Sequence, residues 1–184
     1  MSIHSEPDFK ALENNITDVI KEEQIKLGYR SETIRLYYPM ESINLLLGGN
    51  YLIKELPAVL DQFIKHVNTR LGKVAYSNKD SRFCFIIPSS GVEYVHEKLE
   101  DNPFLQEFID QIGTHNCTLD DILLIFHRYS DEVICKKMNS EEFDYLIYFV
   151  NGKPDAYKYC LKFEHNHAIY HRFTKGDYDS YNFE

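Results

Sequence analysis

The stretch YKYCLKFEHNHAIYHRF, residues 157–173, decides how the second half of the chain folds. Two runs rich in aromatic and other strand-favouring side chains flank His165 and Asn166, polar residues that suit a tight turn. A two-residue turn there, or a four-residue loop from Glu164 to His167, sets one register: Phe163 opposite Ala168, Leu161 opposite Tyr170 and Cys160 opposite His171. Because side chains alternate across a strand, Tyr157, Tyr159, Leu161 and Phe163 share one face, which Tyr170 joins from the next strand.

Working outward, residues 143–150, 156–164 and 167–174 read as a three-stranded antiparallel meander, with residues 133–137 a candidate further strand. An apolar sheet face of this size needs a cover. The helices expected over residues 90–99, 103–112 and 119–129 are the natural one; the alternative leaves part of the face open for another protein or a second copy. Thr118 is the expected cap of the third helix, with Asp120 and Asp121 favoured by its positive end. The tail from Gly176 is expected to fray.

In the first half, Ser5 is the expected cap of a helix over residues 7–27 that Gly28 stops. A strand over 34–38 follows, then a short helix placed by Pro39 at its first turn and ended by Gly48 and Gly49. A longer helix over 57–71 closes at Gly72, and residues 74–77 and 82–87 form a hairpin around Asn78, Lys79 and Asp80. Helix, strand, helix, helix, hairpin is the order of a winged helix-turn-helix. The expected class is therefore α+β: one domain over 1–184, with a winged-helix-like sub-lobe over 1–89 and a sub-lobe of helices plus meander over 90–184.

At 184 residues and 43% hydrophobic content the chain can bury a core without disulfides. No run approaches the roughly 18 apolar residues of a membrane span, and the N-terminus lacks the pattern of a signal peptide, so the cytoplasm is the expected compartment and no membrane is expected as partner. Cys84, Cys117, Cys135 and Cys160 form no C-x-x-C pair. Fourteen Tyr and twelve Phe with no Trp, beside few Ala and more Lys than Arg, reflect an AT-rich genome more readily than a function.

The net charge of −9 is uneven: residues 91–121 hold eight acids against Lys98 alone. An acidic chain is a poor general binder of phosphate backbones, so the expected partner is another protein or a second copy rather than nucleic acid. Lys65, Arg70, Lys73 and Arg82, with Lys54 and Lys79, nevertheless outweigh Glu55, Asp61 and Asp80 across the would-be recognition helix and wing. They leave a patch of about +3, thin beside the roughly six to ten phosphates a duplex binder contacts.

A thiol and an imidazole facing each other across a strand pair are the elements of an activated cysteine nucleophile, which makes Cys160 and His171 the candidate catalytic pair. His165, His167 and His171 alternate in number, but the turn between the strands breaks their common face, so no metal site is expected. Phosphate-cradling glycine motifs, a nucleophile elbow, H-E-x-x-H and kinase signatures are absent from the sequence, and no cofactor is expected. The leading expectation is a small acidic binding or protein-interaction module without catalysis. An enzyme using Cys160 and His171 comes second, and a winged-helix DNA binder third.

Residues 38–47 (YPMESINLLL), residues 143–149 (FDYLIYF) and residues 170–173 (YHRF) together resemble an uncharacterised bacterial family of domains of unknown function of about this length. That resemblance spans nearly the whole chain. It implies a cytoplasmic bacterial protein and brings no activity, cofactor or catalytic residue with it.

Overall fold

A computed structural model describes residues 6–181 and Phe183. The chain divides into two compact units, Met1–Asp101 and Asn102–Glu184. Among the described residues there are seven helices and two antiparallel sheets, one of three strands and one of four, an α+β architecture.

The first unit opens with helix α1 (Phe9–Leu27), whose Asp8 side chain accepts a hydrogen bond from the Ala11 amide at 2.9 Å. The cap is thus Asp8; Ser5, the expected cap, lies outside the described residues. Strand β1 (Ile34–Pro39) runs directly into helix α2 (Met40–Leu47), where Pro39 stands at the cap position instead of inside the first turn. Gly48 ends α2 in the left-handed region at φ 65°, and the Gly49 amide bonds back to the Asn44 carbonyl at 3.0 Å, so glycine suits the position for its backbone freedom.

Helix α3 (Leu56–Leu71) leads into the hairpin of β2 (Ala75–Lys79) and β3 (Arg82–Ile87), and helix α4 (Ser89–Lys98) follows. The sheet order is β1-β3-β2, with β3 central. Strand periodicity divides it cleanly: Leu36, Tyr38, Phe83, Phe85 and Ile87 turn inward and are buried against Leu12, Ile16, Leu60, Phe63 and Val67 of the helices. Phe63 and Tyr38 both meet the Phe85 ring edge-on. Gly91 lets α4 approach α3: a Cβ there would lie 2.4 Å from the Leu71 carbonyl oxygen. Helix α4 packs on α1 and α3. It therefore belongs to the first compact unit, which runs through Asp101.

The second unit begins with α5 (Pro103–Ile112), capped by Asn102, and α6 (Leu119–Tyr129), whose Thr118 and Asp121 form a reciprocal capping box. Four strands follow as a meander in the order β4 (Val133–Lys137), β5 (Tyr145–Phe149), β6 (Lys158–Glu164) and β7 (His167–Phe173). The three-stranded expectation is thus corrected by one edge strand, β4, paired to β5 from Val133↔Phe149 to Lys137↔Tyr145. The β6–β7 register has Phe163 opposite Ala168, Leu161 opposite Tyr170 and Cys160 opposite His171, as the sequence predicts. His165 (φ 49°) and Asn166 (φ 66°) form the turn, the double left-handed geometry whose twist suits a two-residue hairpin.

Helices α5 and α6 cover one sheet face. Phe104, Phe108 and Phe126 surround Tyr159 at ring separations of 5.8, 4.7 and 5.5 Å, and Phe108 reaches Tyr170 at 4.9 Å. The opposite face carries a smaller cluster in which Leu146, Cys160 and Phe173 are buried against Met138, Phe143, Tyr178 and Phe183. Tyr178 belongs to a short helix, α7 (Lys175–Ser180), where a frayed tail was expected; the Thr174 side chain caps it by accepting from the Asp177 amide at 3.1 Å.

Candidate functional site

The inward turn of alternate residues in the first sheet dictates what stands on its other side. On β1 the outward positions are Arg35, Tyr37 and Pro39; on β3, Arg82, Cys84 and Ile86; on β2, Ala75, Ser77 and Lys79. Register arranges them in three rows. Arg35, Ile86 and Ala75 form the first; Tyr37, Cys84 and Ser77 the second; Pro39, Arg82 and Lys79 the third. Among the described residues no helix of the unit packs on this face: Tyr37 keeps 63% of its surface exposed, Arg35, Arg82 and Lys79 are exposed, and Cys84 and Ile86 are half-buried between them.

Beneath the hairpin turn the face hollows into a concavity bordered by Tyr37, Ser77, Lys79, Arg82 and Cys84, with Asp80 and Ser81 at its rim. Among the described residues the cations here have no carboxylate partners. Three of the chain's six arginines are in ion pairs, Arg70 with Glu13, Arg128 with Glu107 and Arg172 with Asp155. Two of the other three, Arg35 and Arg82, stand on this face, and neither they nor Lys79 form an ion pair among the described residues. An exposed ring flanked by unpaired guanidinium groups over a small apolar floor is the composition of a contact surface.

The basic residues expected to act together are not brought together. Arg70 is committed to Glu13, to which it donates from Nε and, at 2.9 Å, from Nη2. The hydrogen bond to Glu13 raises the Arg70 pKa further. Burial would push the Glu13 carboxyl up, but the Arg70 hydrogen bonds and charge, aided by Lys10 and His66, hold it below its ordinary value. Lys65 is exposed on α3, on the helical side of the sheet, whereas Arg82 points away from that side; Lys73 is exposed just past the end of α3. No one groove-facing plane carries all four.

Cys160 and His171 do face each other, yet the geometry works against thiolate formation. Cys160 is fully buried, while His171 is exposed and lies with its ring 4.1 Å from that of Phe173. Burial pushes the Cys160 thiol up to about 12, with only the Lys158 charge opposing it. Lys158, beside the thiol, is itself largely covered: its side chain is 16% exposed and its ammonium sits 4.1 Å from the Tyr178 ring centre while pairing with Asp179. The three histidines diverge, with His165 in the turn, His167 against His115 at 5.4 Å between rings, and His171 two strand repeats further on.

A buried polar cluster that sequence reasoning did not anticipate lies in the second unit. Arg172 Nη2 donates to Asp155 Oδ2 at 2.9 Å, with side-chain exposures of 5% and 2%. Arg172 Nε donates to the Tyr159 hydroxyl at 3.1 Å, the guanidinium stacks 3.8 Å from the Tyr157 ring, and Asn102 donates to Asp155 at 3.2 Å. The Asp155 carboxylate also accepts from the Tyr157 amide at 2.9 Å, so the cluster closes on itself as a structural clamp. Burial drives the Tyr159 hydroxyl well above its ordinary pKa, keeping it neutral.

No helix is long and apolar enough to cross a membrane among the described residues. No curated protein and no solved structure matches the chain. A family model described as "Domain of unknown function, E. rectale Gene description (DUF3877)" matches residues 9–181, nearly the full length, and the chain belongs to that family.

Proposed function

We propose that the chain is a non-catalytic interaction module whose contact surface is the open face of the first unit's sheet. The observation that carries this reading is Tyr37, exposed at the centre of a face on which Arg35, Arg82 and Lys79 have no ion-pair partners among the described residues. The unit's order α1-β1-α2-α3-β2-β3 with sheet order β1-β3-β2 supports a winged-helix-like scaffold. Duplex recognition through α3 is the weaker reading, because Arg70 is occupied by Glu13 and Lys65 lies on the other side of the sheet from Arg82. An enzyme built on Cys160 and His171 is weaker still, since burial keeps that thiol protonated. The expected partner is a protein carrying negative charge.

Amide NMR of the isotopically labelled full chain tests this with two generic anionic probes, deca-glutamate and deca-thymidylate. The expected result is that deca-glutamate shifts amides of residues 35–39, 75–79 and 82–87, that Arg35→Glu with Arg82→Glu abolishes the response, and that a response to deca-thymidylate alone replaces the protein partner with a nucleic-acid strand. Shifts confined to exposed α3 residues such as Lys65, or absent throughout, would overturn it.

A further inference from the structure

We infer that the open sheet face takes an extended acidic peptide segment of the pattern acid-x-apolar-x-acid. This deepens the interaction reading above and rests on it. Arg35 marks one end of the face; Arg82 and Lys79, paired across the hairpin in the row of Pro39, mark the other. The two ends are four residues apart along β1, about 13 Å at the strand rise. Between them lies a row with no cation: Tyr37, Cys84 and Ser77.

An extended peptide repeats this arrangement. Its side chains alternate, so positions i, i+2 and i+4 point to one side at intervals of about 6.7 Å, spanning about 13 Å. Carboxylates at i and i+4 then meet Arg35 and the Arg82–Lys79 pair, while an apolar side chain at i+2 rests on the Tyr37 ring and the half-buried Cys84. Guanidinium groups hold carboxylates through two parallel hydrogen bonds, which gives a spacing requirement in addition to attraction.

Charge complementarity alone would also suit a nucleic-acid strand. The peptide is favoured because the face offers one exposed ring, not a row of stacking platforms, and because the floor of Cys84, Ile86 and Ala75 accepts an aliphatic or aromatic side chain. A chain of net charge −9 also opposes the long continuous charge of a polynucleotide more than two spaced carboxylates.

The test measures, by amide NMR titration and calorimetry on the full chain, a capped peptide containing Glu-Ser-Phe-Ser-Glu against its isomer Glu-Glu-Phe-Ser-Ser and against deca-thymidylate. The patterned peptide should shift the open-face amides and bind about tenfold more tightly than the isomer. The Arg35→Glu, Arg82→Glu double variant, whose unchanged spectrum elsewhere certifies its fold, should lose that binding and gain it for Lys-Ser-Phe-Ser-Lys. Equal binding of both isomers to the face overturns the spacing claim while leaving the contact surface standing. Binding of deca-thymidylate alone overturns it in favour of a single strand. Silence of the face toward every probe overturns both this inference and the interaction reading.

Discussion

The two sheets of this chain are built by the same alternation and finished differently. In the second unit, α5 and α6 cover one face with a continuous aromatic layer around Tyr159, and α7 with Phe183 seals Cys160 and Phe173 on the other. In the first unit, helices cover only the face that carries Leu36, Tyr38, Phe83 and Phe85, and the opposite face stays open under unpaired cations. The polar groups follow suit: Arg172 lies inside a closed network, whereas Arg35 and Arg82 point to solvent. The second sheet is covered across one face and at Leu146, Cys160 and Phe173 on the other, though Ile169 and His171 stay exposed there, whereas the first sheet leaves a whole charged face uncovered by the helices of its unit. The contact surface proposed above belongs to the first unit, and the most enclosed ion pair, Asp155 with Arg172, to the second.

The sharpest way to break the sealed side is Asp155→Ala. It strands a guanidinium that is 5% exposed, and the expected loss is about 3–5 kcal/mol, read from urea unfolding. A loss below about 1 kcal/mol would mean that the clamp is solvated and the contrast between the sheets overstated. The corresponding pair in the first unit is gentler, because Arg70 remains 34% exposed although Glu13 is only 5% exposed. Glu13→Gln should cost about 1–2 kcal/mol at pH 7. Its pH dependence follows from sign: the folded-state carboxyl titrates below its ordinary value of 4.5, so the stability it contributes is complete above that value and is lost as pH falls through the lower folded one. Unfolding curves of the native and Glu13→Gln chains should therefore differ most at neutral pH and converge in acid; curves that stay parallel down to pH 2 would remove Glu13 as the titrating group.

The β6–β7 hairpin was legible because its turn residues tolerate positive φ and a one-residue slip would expose Tyr159 and Leu161. Helix α7 was overlooked because KGDYDS has little apolar character; the Thr174 and Asp177 pair three residues apart was the available signal. Arg70 could not be placed from sequence, since its partner Glu13 lies 57 residues away and only the packing of α1 on α3 joins them. The Asp155–Arg172 clamp depends in the same way on tertiary placement of the segment before β6. The open face was half-legible. In IRLYYP, residues 34–39, a strict period of two sends Leu36 and Tyr38 inward and so must send Arg35 and Tyr37 outward, but their neighbours Arg82 and Lys79 become neighbours only once β3 takes the central position.

The smallest expected effect sharpens the contrast at the thiols. Cys84 lies half-buried on the open face, and Cys160 is fully buried on a sealed one with its thiol pushed up to about 12 from a reference of 9.0. At pH 8 that leaves Cys160 about a thousandfold less thiolate than an ordinary cysteine, so iodoacetamide followed by peptide mass spectrometry should label Cys84 while Cys160 stays intact in the folded chain. His171→Ala should leave the Cys160 rate unchanged within about twofold, because the imidazole is exposed and the thiol's protonation is governed by burial. Rapid labelling of Cys160 that slows in His171→Ala would instead make the imidazole its base and return the pair to candidacy as a catalytic site. Protection that disappears when α7 is disrupted by Tyr178→Gly, yet is indifferent to His171, would assign the silence of this thiol to the cover that the first unit's sheet lacks.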